Sequence, residues 1–172
     1  MSFKKLTFLF LLLLTFPLVD LPAQTQHKWI EVSKFVDGDT FWITNSKGEQ
    51  EKIRLIGVDA PETRRTGKKG IGYYGKEAAA YVEKLLVGKK IRLEYDVGKY
   101  DRYKRTLAYV YLEDGTFLAY VYLEDGTFLN ANLVENGYAM VMTVPPNVKY
   151  AELFVKLQTE ARKNNRGLWG MP

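Results

Sequence analysis

The chain has 172 residues, no cysteine, a single histidine and a formal net charge of +5. The absence of cysteine excludes disulfide bonds, thiol catalysis and thiolate metal sites, and one histidine cannot form an imidazole cluster. That histidine, His27, lies four residues after Ala23, in what we expect to be a loose terminus, so a histidine-based triad is not expected. Catalysis would therefore have to come from carboxylates, arginine, lysine, tyrosine or a hard metal ion, while the modest positive charge is compatible with a polyanionic partner but does not establish one.

The first 23 residues have the organisation of a secretory signal peptide. Two lysines lead into an apolar run from Leu6 to Val19, and Ala23 supplies a small residue where cleavage is expected. The alternative is a membrane anchor, but this run of fourteen residues falls short of the roughly 20 needed to cross a bilayer. We predict that residues 1–23 are removed on export. The mature domain, residues 24–172, is then secreted or periplasmic, with no stable membrane association.

Five short segments with strand-like apolar patterns, separated by turn signals, follow the leader. They are residues 29–36, 41–44, 51–58, 89–97 and the repeated LAYVYL within 107–128. Asp37-Gly38 and residues 45–48 supply the first two turns. Turn-separated short strands at the start of a domain favour a small barrel over a parallel sheet.

Three helices are predicted among and after these strands. Gly75 to Leu86 has apolar residues at helical spacing and is followed by Gly88, which is placed to end the helix. Asn130 is placed to cap a second helix. A third helix follows residues 145–147, with an apolar stripe expected to face the core. Strands mixed with helices in this order indicate an α+β fold.

Residues 107–128 consist of LAYVYLEDGTF written twice without a mismatch, although a barrel needs such a strand once. If the first copy, 107–117, forms the strand, Arg105 stays at its start. If the second copy, 118–128, forms the strand, Thr116 takes that place. Because a longer loop costs only about 1 kcal/mol, the two registers are close in free energy. We predict that the first copy is used and that the second is an insertion.

Charged residues concentrate in three clusters at predicted strand ends, residues 37–40, 54–63 and 100–105. Taken singly, each has a structural interpretation as a turn, a loop closure or a peripheral ion pair. Arg54 and Asp59 are an odd number of residues apart, so a regular strand would put them on opposite faces. A bulge or bend near Gly57 would bring them together.

The chemistry of these clusters points to phosphate. Carboxylates without histidine or cysteine partners suit Ca²⁺ or Mg²⁺ rather than zinc. Arginine side chains neutralise charge that develops on phosphoryl oxygens, and a nearby glutamate is suited to take a proton from water.

Five segments, in this order, resemble the staphylococcal nuclease (thermonuclease) family. They are VDGDT (36–40), RLIGVDAPE (54–62), GKEAAAYVEKLL (75–86), DRYKRTLAYVY (101–111) and GLW (167–169). The resemblance implies a five-stranded Greek-key OB-fold barrel with three helices. It also implies a calcium-dependent nuclease that hydrolyses phosphodiester bonds of DNA and RNA and leaves 3′-phosphate ends. We expect a monomer.

The resemblance also implies roles for individual residues. Asp39 and Asp59 match the family's calcium carboxylates, and Ala60 stands where the family supplies a backbone carbonyl to the ion. Glu62 matches the general base. The two arginines that clamp the phosphate in the family correspond to Arg54 and Arg105.

Three further residues match substrate contacts of the family. Lys68 and Lys69 correspond to a mobile basic loop beside the substrate, and Tyr103 to a tyrosine near the nucleotide phosphate. The chain departs from the family at Lys104, where the family has glycine. It departs again at Thr143 and Pro145, where the family has an aromatic pair, and neither residue can stack on a base as tyrosine does.

Two other function classes stay open at this point. One is a non-catalytic OB-fold nucleic-acid-binding module, which binds strands through basic grooves and aromatic platforms. Such a module has no need of three convergent carboxylates, which would repel phosphate. The other is a structural or adhesive exported domain, against which the clustered charges at strand ends count.

Overall fold

The computed structural model describes residues 29–65, 70–112 and 126–170. The predicted signal peptide, Lys68, Lys69 and residues 113–125 lie outside these ranges. The strands are β1 Ile30–Asp37, β2 Thr40–Thr44, β3 Gln50–Leu55, β4 Gly57–Asp59, β5 Lys90–Glu94, β6 Thr106–Leu112 and β7 Met140–Met142. The helices are α1 Gly75–Leu86, α2 Leu129–Glu135 and α3 Ala151–Lys163, followed by a 3₁₀ turn at Gly167–Trp169. None of these helices is long and apolar enough for a membrane span.

Five of the strands close into a barrel in the order β1-β2-β3-β6-β5. Neighbouring strands are antiparallel except β3 and β6, which run parallel. The barrel interior is filled by side chains such as Phe41, Ile53, Ile91 and Val110, all of which are fully buried. The prediction of an α+β fold with a five-stranded OB barrel and three helices is therefore confirmed.

The predicted strand 51–58 is interrupted where β3 ends. Gly57 has a φ of 78°, a left-handed conformation that favours glycine. A side chain at this position would also collide with the ring of Phe154 on α3. The chain therefore bends away from the barrel, and β4 pairs instead with β7, a short strand that sequence reasoning missed.

Asn130 does not cap α2, so that prediction is wrong. The helix begins at Leu129, and Asn130 is fully buried inside its first turn. Its Oδ1 accepts a hydrogen bond from the N–H of Val110 at 3.0 Å, and its Nδ2 donates to the carbonyl of Ile56 at 2.8 Å. The amide is retained in the core because it satisfies backbone groups of β6 and of the bend after β3.

The first copy of the repeat supplies the barrel strand, since β6 is Thr106–Leu112. The end of the second copy is not an insertion, however. The N–H of Leu112 donates to the carbonyl of Thr127 at 2.9 Å, and Phe128 stacks on Tyr111 with ring centroids 4.8 Å apart. The first copy thus provides the strand, and the last residues of the second provide the segment that returns to α2.

Candidate active site

Arg54, near the end of β3, connects the two acidic clusters. Its side chain is only 6% exposed, and its Nη2 lies 3.2 Å from Asp39 Oδ2 and 2.8 Å from Asp59 Oδ1. Its Nη1 donates to the carbonyls of Leu55 and Val58 at 2.8 and 2.7 Å. One guanidinium therefore holds both carboxylates and both sides of the bend at Gly57, which brings Arg54 and Asp59 to the same place.

Asp39 lies in the turn between β1 and β2, where it is almost entirely buried. Its Oδ2 accepts the N–H of Ala60 at 2.7 Å, and its Oδ1 accepts the hydroxyl of Thr40 at 2.9 Å. Burial raises the pKa of Asp39 to about 7, and Asp37 acts in the same direction, while the charge of Arg54 opposes the change. Additional positive charge at this point would favour the carboxylate form.

The donor set at this point fits a hard divalent cation. The carboxylates of Asp39 and Asp59 converge on a single guanidinium nitrogen, so both approach one position where positive charge is already accommodated. Oxygen-only ligands of this kind suit Ca²⁺. Within the described ranges, no group of three or more acidic, histidine or cysteine side chains is arranged to hold a metal ion. A cation here would therefore complete its shell with backbone carbonyls and water.

Arg105 is held by a loop built around Asp101. The carboxylate of Asp101 accepts the N–H groups of Tyr103 and Arg105 at 2.8 and 2.9 Å, and the Nε of Arg105 at 2.6 Å. Burial alone would raise the pKa of Asp101, but the hydrogen bonds from Arg105 and Tyr103 outweigh it and lower the pKa. Lys104 has a φ of 61°, a conformation that the family's glycine adopts more readily.

Both arginines line one cavity of about 460 Å³. Asp101 and Tyr103 line it on the same side as Arg105, and Tyr103 is 64% exposed with its ring 5.5 Å from the Arg105 guanidinium carbon. Apolar residues also line the cavity, among them Met142, Val144, Pro145 and Pro146. A phosphate between the two arginines would thus have a predominantly apolar surface beside it.

Glu62 lies on the loop that follows β4, three residues beyond Asp59. Its carbonyl accepts the N–H of Gly72 at 2.9 Å. Gly75, the first residue of α1, packs directly on the Glu62 backbone, and a side chain at Gly75 would collide with it. These contacts fix the backbone of Glu62 between β4 and α1.

Comparison with known proteins identifies the family. Residues 52–171 match the family described as Staphylococcal nuclease homologue. The chain belongs to the staphylococcal nuclease family. It is 39% identical over 138 residues to the thermonuclease of Staphylococcus intermedius, covering 80% of this chain and 74% of that protein. The thermonuclease of Staphylococcus hyicus is 37% identical over 147 residues, covering 86% and 79%. Endonuclease YncB of Bacillus subtilis is 30% identical over 151 residues, covering 86% and 65%.

In this staphylococcal nuclease family member, the structure brings Asp39, Arg54, Asp59 and Ala60 into direct contact and places Arg105 and Tyr103 around the adjoining cavity. Lys68 and Lys69 lie outside the described residues, so their role stays a prediction. Thr143 and Pro145 stand where the family has an aromatic pair, and of these two residues Pro145 lines the cavity.

Sequence reasoning missed two residues that organise the site. The hydroxyl of Thr40 binds the Asp39 carboxylate, and Asp101 holds the backbone and side chain of Arg105. The four-residue spacing between Asp101 and Arg105 was a signal for their ion pair, but the sequence also allowed each to be an ordinary surface charge.

Proposed function

We propose that this chain is an exported, calcium-dependent nuclease that hydrolyses phosphodiester bonds of DNA and RNA. The observation that carries the proposal is the cavity shared by Arg54 and Arg105, because Arg54 joins that cavity directly to the Asp39 and Asp59 carboxylates. The relatives named thermonuclease and endonuclease support the same class of activity.

Asp39, Asp59 and the backbone of Ala60 would hold the ion. When bound, Ca²⁺ supplies positive charge that stabilises the phosphate in its transition state. The buried Asp39 carboxyl supports this assignment, because a carboxylate removed from water is stabilised by a positive partner. Calcium also fits export, since it is abundant enough outside the cytoplasm for a weak site.

Side chains of the protein would accept the proton from water and stabilise the negative charge on the phosphate. Glu62 accepts a proton from the attacking water, which adds in line to phosphorus. The bond between phosphorus and the 5′-oxygen breaks and this oxygen takes up a proton from solvent water, so that the products carry 3′-phosphate and 5′-hydroxyl ends. Arg105 donates hydrogen bonds to the phosphoryl oxygens, where charge increases in the transition state, and Arg54 does so once Asp39 and Asp59 hold the ion in place of its Nη2. Asp101 accepts from Nε of Arg105, which orients the guanidinium at the cavity wall.

The proposed contacts go to phosphate and not to base edges, so both DNA and RNA are expected as substrates. The enzyme would act as a monomer and be secreted or periplasmic once residues 1–23 are removed.

One digestion experiment tests the proposal. Purified residues 24–172 are incubated with plasmid DNA, single-stranded DNA and RNA in Ca²⁺, and in parallel with a calcium chelator. We expect cleavage of all three with Ca²⁺, none with the chelator, and 3′-phosphate ends on the products. Binding of these nucleic acids without cleavage would instead favour the non-catalytic OB-fold module.

A further inference from the structure

A second, larger groove of about 870 Å³ lies beside the proposed active site, over the β2–β3 hairpin and the end of β5. Its lining includes six cationic side chains and two carboxylates. The cationic residues are Lys47, Lys52, Arg92, Lys99, Lys104 and Arg105. Because positive charge is in excess here, the groove is a surface suited to binding a polyanion.

The carboxylates in the groove are engaged by the sheet. Glu51 accepts the hydroxyl of Thr106 at 2.5 Å, and Glu49 accepts the side-chain amide of Asn45 at 3.1 Å. Both donors are neutral, so each carboxylate keeps its charge, and the groove is positive because its cationic side chains outnumber its carboxylates six to two.

Aromatic rings are interleaved with these cations. Tyr95, Tyr100 and Tyr103 are 47%, 59% and 64% exposed, although large aromatic surfaces are normally buried. Lys99 Nζ lies 5.6 Å from the ring of Tyr95 and 5.3 Å from that of Tyr100. Lys52 Nζ lies 5.6 Å from the ring of Trp42. Exposed rings next to cations offer stacking surfaces for bases and charges for phosphates along one path.

The groove is continuous with the proposed active site. Tyr100, Tyr103 and Arg105 line both the groove and the cavity that contains Arg54. A strand whose scissile phosphate lies between the two arginines would therefore meet the groove as soon as it leaves the cavity.

We propose that this groove binds the single-stranded polynucleotide that flanks the scissile phosphate, with phosphates near Lys52 and Lys99 and bases stacked on Tyr95 and Tyr100. This inference rests on the proposed nuclease function. It adds that the enzyme binds several nucleotides of the substrate and not only those beside the scissile phosphate. It predicts that a strand of several nucleotides binds more tightly than a dinucleotide, and that the difference arises outside the cavity.

Binding in the presence of a chelator tests this inference without cleavage. Fluorescent oligothymidine of about 12 nucleotides, within the span of one OB fold, and labelled dithymidine are titrated at several salt concentrations by anisotropy. In the Lys52→Ala/Lys99→Ala variant, the slope of log K against log salt for the long strand should become shallower by about 1.4. Dithymidine binding should not change.

The matched control is Lys156→Ala/Lys163→Ala, which removes the same charge from exposed positions of α3. We expect it to retain the wild-type slope. Tyr95→Leu removes a ring without changing charge and should weaken binding of the long strand about tenfold. This variant tests the groove separately if loss of both lysines impairs folding.

The outcomes separate this inference from the proposed function. The groove proposal is rejected if the groove variants keep the wild-type affinity and salt slope, or if the α3 control loses as much as they do. DNA digestion with Ca²⁺ would still support the nuclease in that case. Groove-dependent binding by a protein that digests nothing would uphold the groove and reject the nuclease. A protein that neither binds the long strand nor digests DNA would contradict both.

Discussion

Ala60 donates its backbone N–H to the carboxylate of Asp39 at 2.7 Å, across 21 positions of the chain. This contact ties the turn between β1 and β2 to the end of β4. It makes Asp39 a structural acceptor as well as a proposed ligand, so the two roles call for different substitutions.

Substitutions at Asp39 should separate calcium binding from stability. Asp39→Asn keeps an oxygen acceptor for Ala60 but removes the charge, so we expect weak Ca²⁺ binding in a folded protein. Asp39→Ala leaves that buried N–H without its acceptor and should also destabilise the fold by about 1–3 kcal/mol. Calorimetric Ca²⁺ titration and urea unfolding measure the two effects. Tight Ca²⁺ binding by the Asn variant would remove Asp39 from the site.

Glu62→Gln tests the general base. The amide cannot accept a proton from water at neutral pH, so turnover should fall by at least about 10². Calcium binding should survive, because Glu62 is not among the proposed ligands. Steady-state cleavage and Ca²⁺ titration of the same preparation give both values. Near-normal cleavage would show that another group takes the proton.

Lys68 and Lys69 are predicted to contact long polyanions without setting sequence preference. Replacing both by alanine should weaken binding to duplex DNA and reduce the salt dependence of log K by about 1.8. The comparison variant is again Lys156→Ala/Lys163→Ala, which changes the charge equally. If the salt slope stays at the wild-type value, these lysines belong to a solvated turn away from the substrate.

Removing eleven residues of the repeat should preserve or raise both activity and stability. Deleting either copy gives the same shortened sequence. In that sequence Phe117 takes the place of Phe128, directly before α2. Glu113-Asp114-Gly115 then forms a three-residue hairpin loop with glycine in its last position, a common turn type. Closing the shorter loop costs less conformational entropy, which should raise the free energy of unfolding by on the order of 1 kcal/mol. Thermal unfolding and DNA digestion test this, and a deletion variant that fails to fold would reject it.

The carboxylate of Glu94 should make stability depend on pH. Burial alone would raise the pKa of Glu94, but hydrogen bonds from Lys149 and Tyr111 outweigh it and lower the pKa. A lowered pKa means that this contribution is present above the unfolded value, near 4.5, and is lost as pH falls through the folded value. Glu94→Gln should therefore be less stable than wild type at pH 7.

The difference between the two proteins should shrink as the pH drops below that value, which chemical denaturation at several pH values can follow. A constant difference between wild type and Glu94→Gln at every pH would show that the charge of Glu94 is not the source of the effect.

Local patterns were sufficient for some elements and insufficient for others. The limits of α1, Gly75–Leu86, agree with prediction because its apolar spacing and the glycine after it are contained in the segment. The bend near Gly57 was expected from the glycine itself, but the pairing of β4 with β7 and the packing of Phe154 against Gly57 involve residues far along the chain, so no window of sequence contains them. The same holds for Asn130, whose partners lie on β6 and after β3.

Some features of the candidate site could likewise be predicted from local sequence, and others could not. Pleating alone would separate Arg54 from Asp59, and only the expected bend near Gly57 allowed them to meet. The assignment of Asp39, Glu62 and Arg105 came from resemblance to the staphylococcal nuclease family, since isolated charges at strand ends are equally typical of turns. The position of Arg105 against Asp101 required the loop geometry around Lys104.

The guanidinium of Arg54 acts as a built-in counter-ion for Asp39 and Asp59. Because Arg54 offsets part of the charge of these carboxylates, and Asp39, with its raised pKa, can also take up a proton, adopting the native state does not have to wait for a metal. We therefore expect the chain to fold at any calcium concentration and chelators to stop cleavage without melting the barrel. With the proposed function, folding would be complete before calcium binds, and the calcium concentration outside the cell would then set when cleavage begins.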